Sequence, residues 1–154
     1  MLTFLHRWRS YFETVTLSSS IPRIITTLLK RVENKHGKLL VSYSLSFITA
    51  AKGGLSEAEL EDLLSLQDDV LNDVYQYHLP PVRRIPPLLW TRLRNDLPHY
   101  FSEREADGIN VIGWYHRQFV EVARERYFRL VQMHSYYLFL NYFCYKSVVF
   151  PRLY

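Results

Sequence analysis

The chain of 154 residues predicts a mainly α fold, a helical bundle interrupted once by a single β-hairpin. Three observations carry that prediction. Apolar residues recur at spacings of three and four through most of residues 18–128. Two Pro-Pro pairs, Pro80-Pro81 and Pro86-Pro87, break the helical pattern at one place. Ala106-Asp107-Gly108 separates two short strand-like runs, a hairpin signal.

The first helix is expected over 18–37. Ser18 to Ser20 are cap candidates, Pro22 fits the first turn, and Gly37 suits the exit. Ile21, Ile24, Ile25, Leu28, Leu29 and Val32 supply its apolar stripe. A second helix, from about Lys38 to Ala51, is apolar over so wide an arc that it belongs between neighbours, not on a surface. Gly53-Gly54 ends it.

Ser56-Glu57-Ala58-Glu59 is a capping box, in which hydroxyl and carboxylate satisfy opposite orphan N–H groups. The helix it opens turns Leu60, Leu63 and Leu64 inward. Asp68 is expected to cap a short fourth helix carrying Val70, Leu71, Val74 and Tyr75. The proline pairs then impose an extended crossing over Val82-Arg83-Arg84-Ile85. A helix restarts near Leu88, with Leu89, Leu93 and Leu97 four apart and Trp90 beside them. Tyr100–Glu105 and Ile109–Trp114 read as the hairpin strands, and a last helix runs from His116 to Tyr127. Helices followed by a two-stranded wing make a winged-helix-like subdomain over 55–128, preceded by a helical segment over 18–54. Residues 1–17 read as a remnant or linker, and 129–154 as an atypical aromatic tail.

Composition narrows the function. The chain is 48% hydrophobic and 22% charged, a globular balance. One cysteine, Cys144, excludes an internal disulfide framework and a cysteine-rich zinc site, and points to a reducing compartment, cytosolic or nuclear. The net charge of +4 conceals a segregation. Basic residues dominate 1–52, whereas 55–75 holds Glu57, Glu59, Glu61, Asp62, Asp68, Asp69 and Asp73 with no Lys or Arg. That acidic block argues against the continuous basic face of a nucleic-acid binder. The apolar stretch Tyr136–Phe150 is short of the roughly 20 residues of a spanning helix and contains Asn141 and Lys146, which argues against a membrane span.

No catalytic constellation is complete. Gly108 and Gly113 have phosphate-loop spacing, but Trp114 and Tyr115 stand where Lys and Ser or Thr are needed. The six histidines show no zinc spacing, so no metal is expected. Cys144 has no base beside it. Arg83, Arg84, Arg92 and Arg94 could make a phosphate-binding patch, yet Arg83 and Arg84 are better matched to the acidic block.

Several runs resemble one family. They are Val32-Glu33-Asn34-Lys35-His36-Gly37-Lys38-Leu39-Leu40-Val41, the stretch from Ile48 to Leu66, Tyr75-Gln76-Tyr77-His78-Leu79-Pro80-Pro81 through Trp90, and Trp114-Tyr115-His116-Arg117-Gln118-Phe119. Together, across roughly 18–128, they resemble the NACHT and WD-repeat proteins, signal-transduction NTPases with numerous domains. The resemblance implies a cytoplasmic, non-catalytic segment that follows the nucleotide-binding core. It implies contact with that core and with WD-repeat domains, and no cofactor in this chain, ADP or ATP belonging to the intact protein. In related NTPases a winged-helix histidine, in a motif of aromatic, His, two residues and Phe, reaches the β-phosphate of ADP. Tyr115-His116-Arg117-Gln118-Phe119 fits that pattern, so the resemblance implies nucleotide sensing by His116. Arg83, Arg84, Trp90 and Arg117 are the interface candidates. Two other readings compete: a nucleic-acid-binding winged helix using Leu88–Pro98 and Arg104, and membrane attachment through the tail.

Overall fold

The computed structural model describes residues 19–77, 80–106 and 108–128. Expectations placed on 1–17 and 129–154 lie outside them. The element order is α1 (Ile21–His36), α2 (Lys38–Ala50), α3 (Glu57–Ser65), α4 (Asp68–Val74), α5 (Pro87–Asp96), β1 (Phe101–Ala106), β2 (Ile109–Trp114) and α6 (Arg117–Tyr127). The fold is mostly helical with one antiparallel hairpin, as the periodicity predicts.

Helix α2 is the axis. Every residue from Leu40 to Thr49 is buried, and α1 and α6 pack on it along with α3, α4 and β2. Its polar residues are compatible with that burial because they bond within the helix. The hydroxyls of Ser42, Ser44 and Thr49 donate to the carbonyls of Lys38, Leu40 and Leu45, four residues back, and Ser46 donates to Tyr43. Gly37 joins α1 to α2 at φ 92°, a left-handed joint that suits glycine, and its N–H closes α1 on the Glu33 carbonyl at 2.9 Å.

The apolar stripe of α1 is displaced from the expected one. Ile25, Leu29, Val32 and Glu33 face inward, whereas Ile21 and Ile24 are exposed. A helix buries one arc about 100° wide, and here a carboxylate occupies part of it because Arg126 and Tyr127 meet it there.

The capping box of α3 forms as expected. Ser56 Oγ accepts the Glu59 N–H at 3.3 Å, and the Glu59 carboxylate accepts the Ser56 N–H at 2.9 Å. Asp68 does not cap α4. Gln67 holds that position, without a side-chain cap bond, and Asp68 and Asp69 fill the first turn, where negative charge suits the helix dipole. Pro87 opens α5 at its first turn.

The hairpin pairs Phe101 with Trp114 through to Ala106 with Ile109, so β1 begins and ends one residue later than expected. Gly108, at φ 74°, turns it. Leu55 adds a bridge on the other side of β2, with paired N–H···O bonds to Ile112 of 2.9 and 2.8 Å. This third strand-like contact seats the wing against the start of α3. Gly54 makes it possible: its φ is 89°, and a Cβ there would lie 2.9 Å from Val111 Cγ2.

The proline crossing straps α3 to α4. Ile85 is buried and donates its N–H to Ser65 Oγ at 3.0 Å. Arg84 pairs with Asp62 at 2.5 Å, and Arg83 bonds Asn72 Oδ1 at 2.7 Å with Asp68 3.7 Å away. No helix of the described residues is long and apolar enough to cross a membrane.

Candidate functional site

His116 stands at the junction of wing and last helix. The chain leaves β2 at Trp114, Tyr115 donates its N–H to the Tyr100 carbonyl at 2.9 Å, and Arg117 is already helical. His116 therefore falls on the cap itself, with extended backbone (φ −127°, ψ 137°), rather than being the first helical residue. Its Nδ1 accepts the Gln118 N–H at 3.3 Å. In a neutral imidazole that fixes the ring proton on Nε2. Among the described residues Nε2 has no partner, and the side chain is exposed.

An aromatic row holds this junction in place. Trp90 of α5 meets Phe101 of β1 at 5.8 Å, Phe101 meets Trp114 at 4.8 Å, and Trp114 stacks on Phe119 of α6 at 5.5 Å and 18°. Tyr100 closes on Phe119 at 4.7 Å. Offset ring pairs of this kind add to the burial of their surfaces. Trp114 also donates Nε1–H to Thr49 Oγ1 at 2.9 Å, tying the junction to α2. The position of His116 thus depends on residues from five elements, α2, α5, β1, β2 and α6. The sequence puts Trp114 at the end of the second strand and Phe119 on the last helix, but not their stacking on each other. Their contacts with Phe101 and Thr49 leave no trace in spacing.

Arg117 is exposed beside His116 and pairs with Glu121 one turn on, at 2.8 Å. An exposed pair of this type holds weakly and leaves the guanidinium able to turn toward an anion. Arg83 and Arg84 lie on the strap, engaged with α3 and α4. Trp90 is 1% exposed, its Nε1–H on Glu57 Oε1 at 3.2 Å. As a core side chain it is not presented to a partner: its large apolar surface is used between α3, α5 and β1. The five candidates thus do not form one site. Arg83 and Arg84 share the strap, Trp90 lies in the core, and His116 and Arg117 adjoin at the start of α6.

Arg92 and Arg94 do not extend Arg83 and Arg84 into a basic patch. Arg94 reaches Glu57 and Glu103 together, so three of the four guanidinia face carboxylates. A cleft of about 420 Å³ between the start of α3 and the wing is lined by Glu57, Glu59, Asp62 and Glu103 against Arg94 alone. Its excess of carboxylates disfavours phosphate. No cluster of metal-ligating side chains occurs among the described residues.

A second polar centre lies behind the junction. Glu33 of α1 is 7% exposed and accepts two hydrogen bonds of 2.7 Å from Arg126 and one of 2.7 Å from Tyr127. Burial alone would push its carboxyl up. The bonds from Arg126 and Tyr127, with the charge of Arg126, outweigh it and hold the carboxyl below its ordinary range. These three bonds fasten α1 to α6.

A family model described as an NWD1-like, winged helix-turn-helix domain matches residues 13–133. The chain is 47% identical over 124 residues to NACHT domain- and WD repeat-containing protein 1 of Homo sapiens, covering 79% of this chain and 8% of that protein. The Mus musculus protein of the same name is 43% identical over the same shares. NACHT and WD repeat domain-containing protein 2 of Homo sapiens is 35% identical over 144 residues, 87% of this chain and 8% of that one. No solved structure matches. The chain thus spans 8% of the length of these curated relatives. With its helices, strap and wing in the order described, the chain belongs to the NWD1-like winged helix-turn-helix domains of the NACHT and WD-repeat proteins.

Proposed function

We propose that this domain is a non-catalytic regulatory module that packs on the nucleotide-binding core of an intact NACHT and WD-repeat protein, in the cytoplasm, and senses ADP through His116. One observation carries the reading: His116 Nδ1 caps α6, so on this exposed side chain a neutral imidazole keeps Nε2–H as its donor. A donor at the positive end of a helix, with the exposed guanidinium of Arg117 beside it, is matched to a phosphate oxygen. Arg117 then serves as the interface residue nearest the nucleotide, and contacts with other domains of the same polypeptide supply the partners. Bound ADP would favour the arrangement in which His116 touches it, and a switch of this kind needs that difference in affinity between its two states.

The test is nucleotide release from an intact family member. Replacing His116 with Ala removes one hydrogen bond to a charged group and should speed ADP release about tenfold. Release unchanged in that variant, with the protein still folded, would take His116 out of the mechanism.

A further inference from the structure

The wing has an open edge. β2 is flanked by β1 on one side and by Leu55 on the other, whereas β1 pairs with β2 alone among the described residues. The register decides which backbone groups of β1 face outward. Tyr115 donates its N–H to the Tyr100 carbonyl, and Phe101 stands opposite Trp114, so Tyr100, Ser102 and Arg104 turn their N–H and C=O toward β2. Phe101, Glu103 and Glu105 turn theirs away. The far side of β2 agrees: Ile112, opposite Glu103, gives its N–H and C=O to Leu55 and not to β1. Among the described residues no backbone bond meets the outward groups of Phe101, Glu103 and Glu105. Glu103, Arg104 and Glu105 are exposed, so this edge reaches solvent.

An unpaired edge is a template for another extended chain, and its charges decide which chain fits. A second copy is disfavoured. Where two such edges meet antiparallel, the central registers set Glu103 opposite Glu103, Glu103 opposite Glu105, or Glu105 opposite Glu105, and like charges directly opposite repel. A strand of different sequence escapes this. Glu103 is already held by Arg94, whereas Arg104 and Glu105 have no ion pair among the described residues.

We propose that the outer edge of β1 takes an extended segment of a partner protein as an added antiparallel strand, with a basic residue opposite Glu105 followed by an acidic residue opposite Arg104. The partner residues opposite Phe101, Glu103 and Glu105 exchange N–H···O bonds with them, which supplies the affinity. The two charged pairs fix register and direction, because a shift of one residue sets like charges against each other. This surface is independent of the reading of His116.

The test titrates the full 154-residue chain, labelled with ¹⁵N, with a short capped peptide built around Lys-Glu-Thr-Thr-Val, which sets its lysine opposite Glu105, its glutamate opposite Arg104 and its valine opposite Phe101. Amide hydrogen exchange read by NMR should slow at Phe101, Glu103 and Glu105 and change little at Ser102 and Arg104, whose N–H groups β2 already holds. A peptide with the charges reversed, Glu-Lys-Thr-Thr-Val, should bind about tenfold more weakly. Arg104→Glu combined with Glu105→Arg, a swap between exposed positions, should invert that preference. Unslowed exchange at the three amides with both peptides would overturn the proposal, and so would equal affinity for the two. Slowing of the same amides in the chain alone as its concentration rises would also overturn it, since the occupant would then be a second copy.

Discussion

Glu33 and Arg126 are joined by two parallel hydrogen bonds of 2.7 Å although 93 positions separate them. The pair closes the domain on itself: α1 leads the chain in, α6 leads it out, and a carboxylate and a guanidinium hold the two together over α2.

Arg126→Met should be the most destabilising of the polar substitutions. It strands a buried carboxylate, and removal of one partner from a buried pair costs about 3–5 kcal/mol. Adding Glu33→Gln should recover part of the loss, because the amide carbonyl still accepts from Tyr127 and no charge is left behind. Urea unfolding of the two variants checks this; equal stabilities would mean that Glu33 is not stranded.

Stability should form a plateau in pH with a decline at each end. Glu33 is held low, as above, and Asp96 is held low first by its hydrogen bond from Lys35, against opposing burial, and then by His36. Carboxyls lowered in the fold contribute stability above their ordinary values, 4.5 and 3.8, and lose it as pH falls through the lowered ones. Tyr127 has the opposite sign. Burial, then Glu33, raises its phenol, so its contribution is complete below 10.0 and is lost as pH rises beyond. Urea midpoints measured across the range should decline at both ends, and the acid decline should shrink in Arg126→Met.

Gly54→Ala should lower stability by about 1–3 kcal/mol, from the left-handed backbone and the clash with Val111 together. The same change at Gly53, where a Cβ meets nothing within 4 Å, should have a far smaller effect. Thermal melts of both variants make the comparison.

Ser56→Ala removes the hydroxyl half of the capping box and should cost about 1 kcal/mol. Arg84→Ala breaks a half-exposed pair with Asp62 and should change stability by no more than about 1 kcal/mol, less at high salt. A large, salt-insensitive loss at Arg84 would show that the strap depends on that pair more than on the buried Ile85.

What could be read from the sequence was local. The capping box needs only residues 56 and 59, the hairpin only a turn and two short flanks, and the pairing of Arg83 and Arg84 with acids only opposite charge at short range. Three features escaped for a common reason. The Leu55–Ile112 bridge, the Glu33–Arg126 pair and the aromatic row join positions brought together by the helices between them, and no periodicity encodes such meetings. Trp90 shows the limit within one helix, since periodicity placed it in α5 but not against Glu57 and Phe101. At the candidate site the His116 motif was legible, whereas the direction of its ring followed only from the Gln118 bond.

The serines of α2 have a consequence for how the domain can change. Because each buried serine hydroxyl is answered by a carbonyl of its own helix, the serines of the axle make no polar demand on the helices around it. Against α2 itself α1, α3 and α6 rest by shape, whereas Tyr43 reaches Asp69 of α4 at 3.4 Å and Glu33 with Arg126 holds α1 to α6. Thr49 is different: its oxygen also accepts the indole N–H of Trp114. That bond works like a key in a shaft, setting the angle at which the wing, and His116 two residues beyond Trp114, meets the rest of the domain.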